Sequence, residues 1–220
     1  MPPAQPDEQD LDSQYRKPFG EVGREVGEAM ARDHLPENLW TVEQLDPRPT
    51  DRILEVGFGP GVAIELLLKR LITGSVAGVD FSPLMVAEAS RRNNKAVQAG
   101  RVDLRCAEAS DLPFADASFD RALSIHSVYF WSWPVTVLME LHRVLKPGGL
   151  LAITMLLKDR WQPNPIGSAL EFGTPDCTPY FGSEIEQMMI GAGFSSTRIE
   201  VDEASGPGYN ASNYSVLGMR

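Results

Sequence analysis

The chain has few of the residues from which disulfide frameworks and metal centres are built. Its 220 residues include two cysteines, Cys106 and Cys177, and three histidines, which are scattered along the sequence. Two thiols cannot form a disulfide framework, and the histidines do not have the spacing of metal ligands. We therefore expect no bound metal and a reducing compartment, which fits the cytoplasm.

The sequence also lacks basic runs and long apolar runs. Its formal net charge is −10, and nucleic-acid phosphates need neutralisation by Lys and Arg, so we expect no nucleic-acid partner. No apolar stretch approaches the roughly 18 residues of a transmembrane helix, and the N-terminus carries no basic-then-apolar signal. These absences predict a soluble, cytoplasmic protein with no membrane span, and they leave its oligomeric state unknown.

A short apolar run that ends in an acid and is followed by three glycines is the most informative feature present. The run is Ile53-Leu54-Glu55-Val56, and the glycines are Gly57, Gly59 and Gly61. A strand, a Gly-rich turn and a helix in this order let the backbone approach a ligand closely. The dinucleotide fingerprint has its third glycine three residues after the second, which is not the spacing here. A Glu55 carboxylate would also repel a pyrophosphate, so the turn favours a cationic nucleoside without phosphate.

A second acid ends the next predicted strand. Asp80 follows the loop by about twenty residues, the separation at which an acid reaches a ribose diol in doubly wound folds. Ser82 and Pro83 then begin a helix, as N-cap and first helical residue. Taken singly, Asp80 could be a solvated carboxylate at a strand end. Together with the glycine loop, it predicts a contact to ribose.

Four motifs in this order resemble those of class I S-adenosylmethionine-dependent methyltransferases. They are Glu55–Gly61, Asp80, Leu112–Asp120 and Leu141–Gly149. The subgroup that the chain looks like is the ubiquinone/menaquinone C-methyltransferases. The resemblance implies that S-adenosyl-L-methionine is the cofactor. It also implies an enzyme that moves the methyl group by in-line displacement to a small, partly apolar molecule.

The resemblance further implies a set of cofactor contacts. In similar enzymes an acid after the third strand accepts from the adenine amino group, and the next backbone N–H reaches the ring. Glu108 and Ala109 hold these positions, although Glu108 could equally be a solvated loop residue. Phe81 and Met85 are candidates to pack against adenine, with core packing equally open for Met85. The complete predicted set is Glu55, Gly57, Phe58, Gly59, Gly61, Asp80, Phe81, Ser82, Met85, Glu108, Ala109 and Ser124.

Segment 124–133 follows the fourth predicted strand, where this fold brings the substrate to the sulfonium. His126 and Tyr129 are the candidate catalytic residues. His126 could accept a proton from an oxygen or nitrogen nucleophile, because the pKa of imidazole lies near working pH, or it could bond backbone near the cofactor. Tyr129 and its aromatic neighbours could line an apolar pocket or belong to the core. The Asn/Asp-Pro-Pro-Tyr motif of amino-methylating DNA enzymes is absent from this segment.

The alternation of predicted strands and helices places the chain in the α/β class. It implies a parallel sheet covered on both faces, and the last two strands have no helix between them. We therefore predict a Rossmann-like, seven-stranded, mostly parallel sheet with a C-terminal antiparallel hairpin and N-terminal capping helices. The predicted strands are 52–56, 75–79, 101–106, 119–125, 149–156, 196–202 and 213–219, and the predicted helices are 61–71, 83–95, 134–145 and 183–192.

The expected domain organisation is one methyltransferase domain, 13–220, after a disordered tail at 1–12. Two short helices within 13–46 would cap the sheet, with Leu39, Trp40, Val42 and Leu45 on the core. Residues 51–157 would form the cofactor-binding core. The long connection 158–182, rich in Pro, Gly and aromatics, would form a lid or substrate loop.

Two other functions remain open on the sequence alone. A dinucleotide-dependent oxidoreductase is disfavoured by the glycine spacing and by Glu55. A non-catalytic S-adenosylmethionine-binding protein on the same scaffold stays open, because a fold does not fix a function.

Overall fold

The computed structural model describes residues 11–156, 177–202 and 213–220. Eight α-helices and seven β-strands are present in this part of the chain. In chain order they are α1 (Leu11–Arg16), α2 (Gly20–Asp33), α3 (Leu35–Leu45), β1 (Arg52–Val56), α4 (Val62–Arg70), β2 (Ser75–Asp80), α5 (Pro83–Arg92), α6 (Asn94–Gln98), β3 (Val102–Cys106), β4 (Phe119–Ile125), α7 (Pro134–Val144), β5 (Leu145–Leu156), α8 (Gly182–Gly191), β6 (Ser195–Asp202) and β7 (Asn213–Met219).

The seven strands form one sheet in the order β3-β2-β1-β4-β5-β7-β6. Each neighbouring pair from β3 to β5 is parallel, whereas β7 pairs antiparallel with β5 and with β6. This confirms the predicted α/β fold, a mostly parallel Rossmann-like sheet with an antiparallel C-terminal hairpin. Residues 158–176 of the predicted lid lie outside the described residues, as do residues 203–212 between β6 and β7.

Apolar side chains cover both faces of the sheet, as a parallel sheet requires. On one face, α3 and α4 pack on Ile53, Leu123 and Leu217. On the other face, α7 and α8 pack on Leu151 and Val216. Because the five parallel strands run the same way, the loops that follow β1, β2, β3 and β4 meet at one edge of the sheet, where ligands bind in such folds.

Three N-terminal helices replace the two that were predicted. His34 ends α2 and precedes α3, and Pro36 lies in the first turn of α3. A proline is tolerated there because its missing N–H has no partner within a helix, so the chain starts a new helix at this point. The first helix, α1, begins at Leu11, inside the segment predicted as a tail.

The side of α3 that faces the sheet carries more polar residues than predicted. Val42 and Leu45 are buried as predicted, but the prediction for Leu39 was wrong, because its side chain is 46% exposed. Helical periodicity instead buries Glu37 and Thr41 on the face that meets the strands.

Two element boundaries differ from their predictions by more than one residue. Strand β5 begins at Leu145, because this fully buried residue pairs with Phe119, and the register shift that follows is accommodated where Gly148 has φ 77°. Helix α5 ends at Arg92, before Asn93. The side-chain amide of Asn93 donates to the carbonyl of Gly61 at 3.0 Å, which ties this helix end to the glycine loop.

Candidate cofactor and acceptor site

The three predicted loop glycines have left-handed backbone conformations, with φ of 74° at Gly57, 49° at Gly59 and 78° at Gly61. A Cβ on Gly57 would lie 2.5 Å from Ser127 Cβ, and one on Gly61 would lie 2.8 Å from Ala89 Cβ. A Cβ on Gly59 would meet nothing within 4 Å. Two of the glycines thus allow close packing of the protein, whereas Gly59 leaves an open face that a ligand can approach.

Two predicted cofactor residues direct their side chains into the protein interior. Phe58 is 3% exposed, and a Cβ on Gly78 would lie 2.5 Å from Phe58 Cδ1. Met85 is 1% exposed, and a Cβ on Gly27 of α2 would lie 2.8 Å from Met85 Cε. Core packing is therefore the role that the structure gives to Met85, and only the backbone of Phe58 is left to face a cofactor.

Asp80 joins the glycine loop to the end of β2. Its Oδ2 accepts the backbone N–H of Gly59 at 2.9 Å, and its Oδ1 accepts that of Ser82 at 2.9 Å. Burial raises the pKa of Asp80 from 3.8 to about 6, against the opposing effects of these two bonds and of Lys17. The carboxyl is thus fixed in position beside the open face of Gly59.

Glu55 places a second buried carboxyl at the same loop. It is 2% exposed, and its Oε2 has no hydrogen-bond partner among the described residues. Burial, reinforced by the charge of Asp80, raises its pKa well above the ordinary value. Two buried carboxyls with raised pKa values favour a cationic ligand, since a positive charge would stabilise their ionised forms. This pair of carboxyls fits a nucleoside that carries a sulfonium and an ammonium group.

Ser82 connects this region to the N-terminal helices. Its Oγ accepts the backbone N–H of Met85 at 3.3 Å as the cap of α5, and donates to the carbonyl of Pro18 at 2.6 Å. Lys17 lies 5.1 Å from the ring centroid of the half-buried Phe81. The side chain of Ser82 is therefore occupied by structural bonds, and a cofactor contact from this residue would use its backbone.

The predicted adenine residues lie on the adjacent loop. The backbone N–H of Ala107 donates to the carbonyl of Asp80 at 3.2 Å, which places the turn after β3 beside the end of β2. Glu108 is exposed and Ala109 is half-buried. Their contacts to adenine remain predictions.

Ser124 and Ser127 link β4 to the glycine loop. Their hydroxyl oxygens lie 2.6 Å apart, and Ser127 Oγ donates to the carbonyl of Val56 at 3.3 Å. Ser124 is 1% exposed. Ser127 is thus the residue that packs against Gly57, and the predicted cofactor role of Ser124 would have to act through it.

His126 lies directly after β4 with an unusual backbone, at φ 51°. Its backbone N–H donates to the carbonyl of Thr154 at 2.9 Å, which holds the residue at the end of β5. Its ring Nδ1 lies 3.3 Å from the hydroxyl of Tyr129, and that hydroxyl accepts the backbone N–H of Leu156. Its Nε2 is buried and has no partner among the described residues.

A second histidine adjoins the first. The ring centroids of His34 and His126 are 4.8 Å apart. Burial lowers the pKa of both, and the charge of His34 lowers that of His126 further, to well below its ordinary value. Both imidazoles are therefore neutral near pH 7, and a neutral imidazole can accept a proton.

In the described part of the chain, no group of three or more His, Cys, Asp or Glu residues could hold a metal ion.

Sequence reasoning did not find Lys17, His34 or Ser127. Each is brought to the site by a contact with a residue distant in the chain, and none has a local motif. The one available signal was the glycine at position 57, whose missing side chain indicates that another group packs there.

Comparison with known protein families agrees with this geometry. A family model described as a methyltransferase domain matches residues 54–153. The uncharacterized methyltransferase YdaC of Bacillus subtilis is 32% identical over 175 residues, which are 80% of this chain and 88% of that protein.

The ubiquinone/menaquinone biosynthesis C-methyltransferase UbiE of Geotalea daltonii is 37% identical over 118 residues, which are 52% of this chain and 49% of that protein. The chain therefore matches about half the length of this relative.

A solved S-adenosylmethionine-dependent methyltransferase from Aquifex aeolicus has the same fold, with a TM-score of 0.64, 21% identity, and coverage of 98% of this chain and 99% of that one. Among the described residues, no helix is long and apolar enough to cross a membrane.

Proposed function

Because the chain belongs to the class I S-adenosylmethionine-dependent methyltransferases, we propose that it methylates a small, partly apolar molecule. The observation that carries this proposal is the environment of His126. His126 directly follows the carboxyl end of β4, and its Nε2 has no partner among the described residues. The aromatic side chains of Tyr129 and Trp131 are buried close by in the chain. Such a setting suits a partly apolar acceptor whose reacting group is polar.

The acidic chain supports a small acceptor over a nucleic acid. Its net charge is −10, and a protein of this charge does not attract a phosphate backbone. UbiE carries ubiquinone/menaquinone biosynthesis in its name, which supports an acceptor that is a metabolite and not a macromolecule. The oxidoreductase alternative is set aside, since the relatives are methyltransferases.

The residues of the chain would bind and align the cofactor and stabilise its positive charge. S-Adenosylmethionine supplies a methyl group already activated on a sulfonium, so the protein must mainly align it and exclude water. The open face of Gly59 would admit the nucleoside, and Asp80 would accept from its ribose hydroxyls. Glu55, whose Oε2 has no partner among the described residues, would stabilise the positive charge of the bound molecule.

His126 would act on the acceptor. As a neutral imidazole it can take a proton from a hydroxyl or an amine as the methyl group arrives. Tyr129 would position it, since its hydroxyl lies 3.3 Å from Nδ1. Tyr129 itself is a poor acid or base at neutral pH, because burial raises its pKa well above the ordinary value.

The proposal is tested by following the methyl label. Purified protein is incubated with methyl-labelled S-adenosylmethionine and with separated small-molecule and macromolecular fractions of a cell extract. We expect label only in the small-molecule fraction. Label in protein, DNA or RNA would contradict the proposed substrate class, and label in neither fraction would favour the non-catalytic binding protein.

A further inference from the structure

A cluster of polar side chains lies where apolar packing would be expected, between helix α3 and the sheet. Its members come from three elements and are all at most 4% exposed. We call it the α3 cluster, and it consists of Glu37 and Thr41 from α3, Thr154 from β5, and Asn213 and Ser215 from β7.

Hydrogen bonds within the α3 cluster satisfy only part of it. Thr41 Oγ1 donates to the carbonyl oxygen of Glu37 at 2.7 Å and lies 2.7 Å from Thr154 Oγ1. The side-chain amide of Asn213 donates to Glu37 Oε1 at 3.2 Å. Thr154 and Ser215 are directly opposite each other in the pairing of β5 with β7, so their side chains share one face.

Three buried polar atoms of the cluster have no partner among the described residues. They are Glu37 Oε2, Asn213 Oδ1 and Ser215 Oγ. Buried polar atoms in native proteins are nearly always hydrogen-bonded. The carboxylate and amide oxygens can only accept, so what the cluster lacks is a donor.

The charges around Glu37 indicate what kind of donor would fit. The charged groups that act on its carboxyl are Asp202 and Asp33, and burial together with these charges raises its pKa. Among the described residues, no basic side chain contributes to the shift in the pKa of Glu37. A cationic donor would be favoured over a neutral one, because it would also offset this concentration of negative charge.

The α3 cluster adjoins the candidate acceptor site. Glu37 follows His34 by one helical turn, and the His34 ring lies 4.8 Å from that of His126. The carbonyl of Thr154 accepts the backbone N–H of His126 at 2.9 Å. A molecule held by the cluster would therefore extend towards His126, where the methyl group is proposed to be transferred.

We propose that the α3 cluster is a specificity subsite that binds a protonated amine of the molecule to be methylated. The side-chain oxygens of Glu37 and Asn213 would accept the principal hydrogen bonds from this amine. This inference rests on the proposed function, and it narrows the acceptor to partly apolar molecules that carry an amine. Glu37 determines which molecule is bound and has no part in the transfer step.

The test uses the full chain saturated with S-adenosylhomocysteine and titrated calorimetrically with two matched pairs of probes. The amines are 2-phenylethylamine and tyramine, and the neutral partners are the corresponding alcohols. We expect the amines to bind at least about ten-fold more tightly than the alcohols, which is the order of a charge-assisted hydrogen bond.

Two variants and one control test which side chains of the α3 cluster bind the amine. Glu37→Gln keeps the size of the side chain and should weaken amine binding at least about ten-fold. Ser215→Ala should weaken it by a smaller factor, and it serves as the second variant if Glu37→Gln does not fold. Glu43→Gln changes an exposed glutamate of the same helix and should bind the amines as the wild type does. All three should bind S-adenosylhomocysteine normally.

Equal binding of amines and alcohols would overturn the inference, as would wild-type amine affinity in both variants. Failure of every amine to bind the S-adenosylhomocysteine-loaded protein would also overturn it. Methyl transfer to small molecules that carry no amine would contradict the subsite and leave the proposed function standing. Methyl transfer to macromolecules alone would contradict the proposed function itself.

Discussion

The backbone N–H of Gly59 donates to Asp80 Oδ2 at 2.9 Å, across 21 positions of sequence. This bond fixes the glycine loop after β1 against the acid that ends β2. The loop and the carboxylate are therefore positioned together before any ligand arrives, and this arrangement reduces the ordering that binding must impose.

Replacing Asp80 with alanine should weaken binding of S-adenosylhomocysteine, the product that remains when the cofactor has lost its methyl group. Charge-assisted hydrogen bonds to a ribose diol contribute about 1.5–3 kcal/mol, which is roughly a ten- to hundred-fold loss of S-adenosylhomocysteine affinity. Calorimetric titration measures the affinity of each variant for S-adenosylhomocysteine. Asp111→Ala removes an exposed carboxylate that lies after β3 and is the control. A folded Asp80→Ala protein with wild-type affinity would remove Asp80 from the site.

Substitution of Gly59 should affect binding more than stability, because a Cβ there meets no protein atom. Gly59→Val should abolish measurable S-adenosylhomocysteine binding, since the side chain would occupy the open face. Its left-handed φ of 49° should cost about 1–2 kcal/mol of unfolding free energy.

Gly100→Val is the matched control for this substitution. Gly100 has φ 69° and equally open surroundings, but it lies in the turn after α6. It should show a similar loss of stability in denaturant titrations with unchanged affinity. If both variants bind S-adenosylhomocysteine equally well, the loop is an ordinary turn.

Binding of S-adenosylhomocysteine should weaken as the pH falls below 6. The pKa of Asp80 is about 6 in the protein without cofactor, and its protonated form is the poorer acceptor for ribose hydroxyls. Cofactor binding should therefore release protons near this pH, which calorimetry in buffers of different ionisation enthalpy detects. Asp80→Ala should reduce the proton release, and an unchanged release would assign it to another group.

The raised pKa of Asp80 also makes the stability of the fold depend on pH, and stability should fall as pH rises, whereas cofactor binding should strengthen. The folded chain retains a proton on Asp80 that the unfolded chain, with a pKa of 3.8, has already lost. The free energy of unfolding should therefore decrease as pH rises from about 4 to about 6, by roughly 3 kcal/mol from this group. The difference between wild type and Asp80→Ala across this window isolates the contribution, and parallel curves for the two proteins would contradict it.

His126→Ala should lower turnover by a factor on the order of 10²–10⁴ if the acceptor must lose a proton, with cofactor affinity little changed. His126→Asn is a useful second variant, because asparagine tolerates a left-handed backbone such as φ 51°. His142→Ala is the control, since that ring packs against Phe194. Lost cofactor binding with preserved turnover would instead make His126 a cofactor contact.

The sequence predicted those parts of the site that depend on local chemistry. Gly57, Gly59 and Gly61 are required by backbone conformation, and Asp80 by its position at a strand end, so each leaves a local signal. The mostly parallel sheet with its antiparallel C-terminal hairpin followed from the alternation of elements and from the motifs that resemble a known family. These features do not depend on which distant side chains meet.

The remaining parts depend on contacts between distant segments. Nothing near Ser127 indicates that it packs on Gly57, and nothing near His34 indicates that it lies beside His126. Helix α3 shows the same limit, because an apolar residue, Leu39, was expected on the core. Polar groups that pair with β5 and β7 occupy that face, and their partners become apparent only in the folded chain.

Calorimetric titration of the unmodified chain with S-adenosylhomocysteine and with NAD, both without added metal, tests the cofactor site most directly. The geometry of Glu55, Gly59 and Asp80 predicts one S-adenosylhomocysteine site per chain and no heat from NAD. Binding of NAD with no binding of S-adenosylhomocysteine would contradict the account.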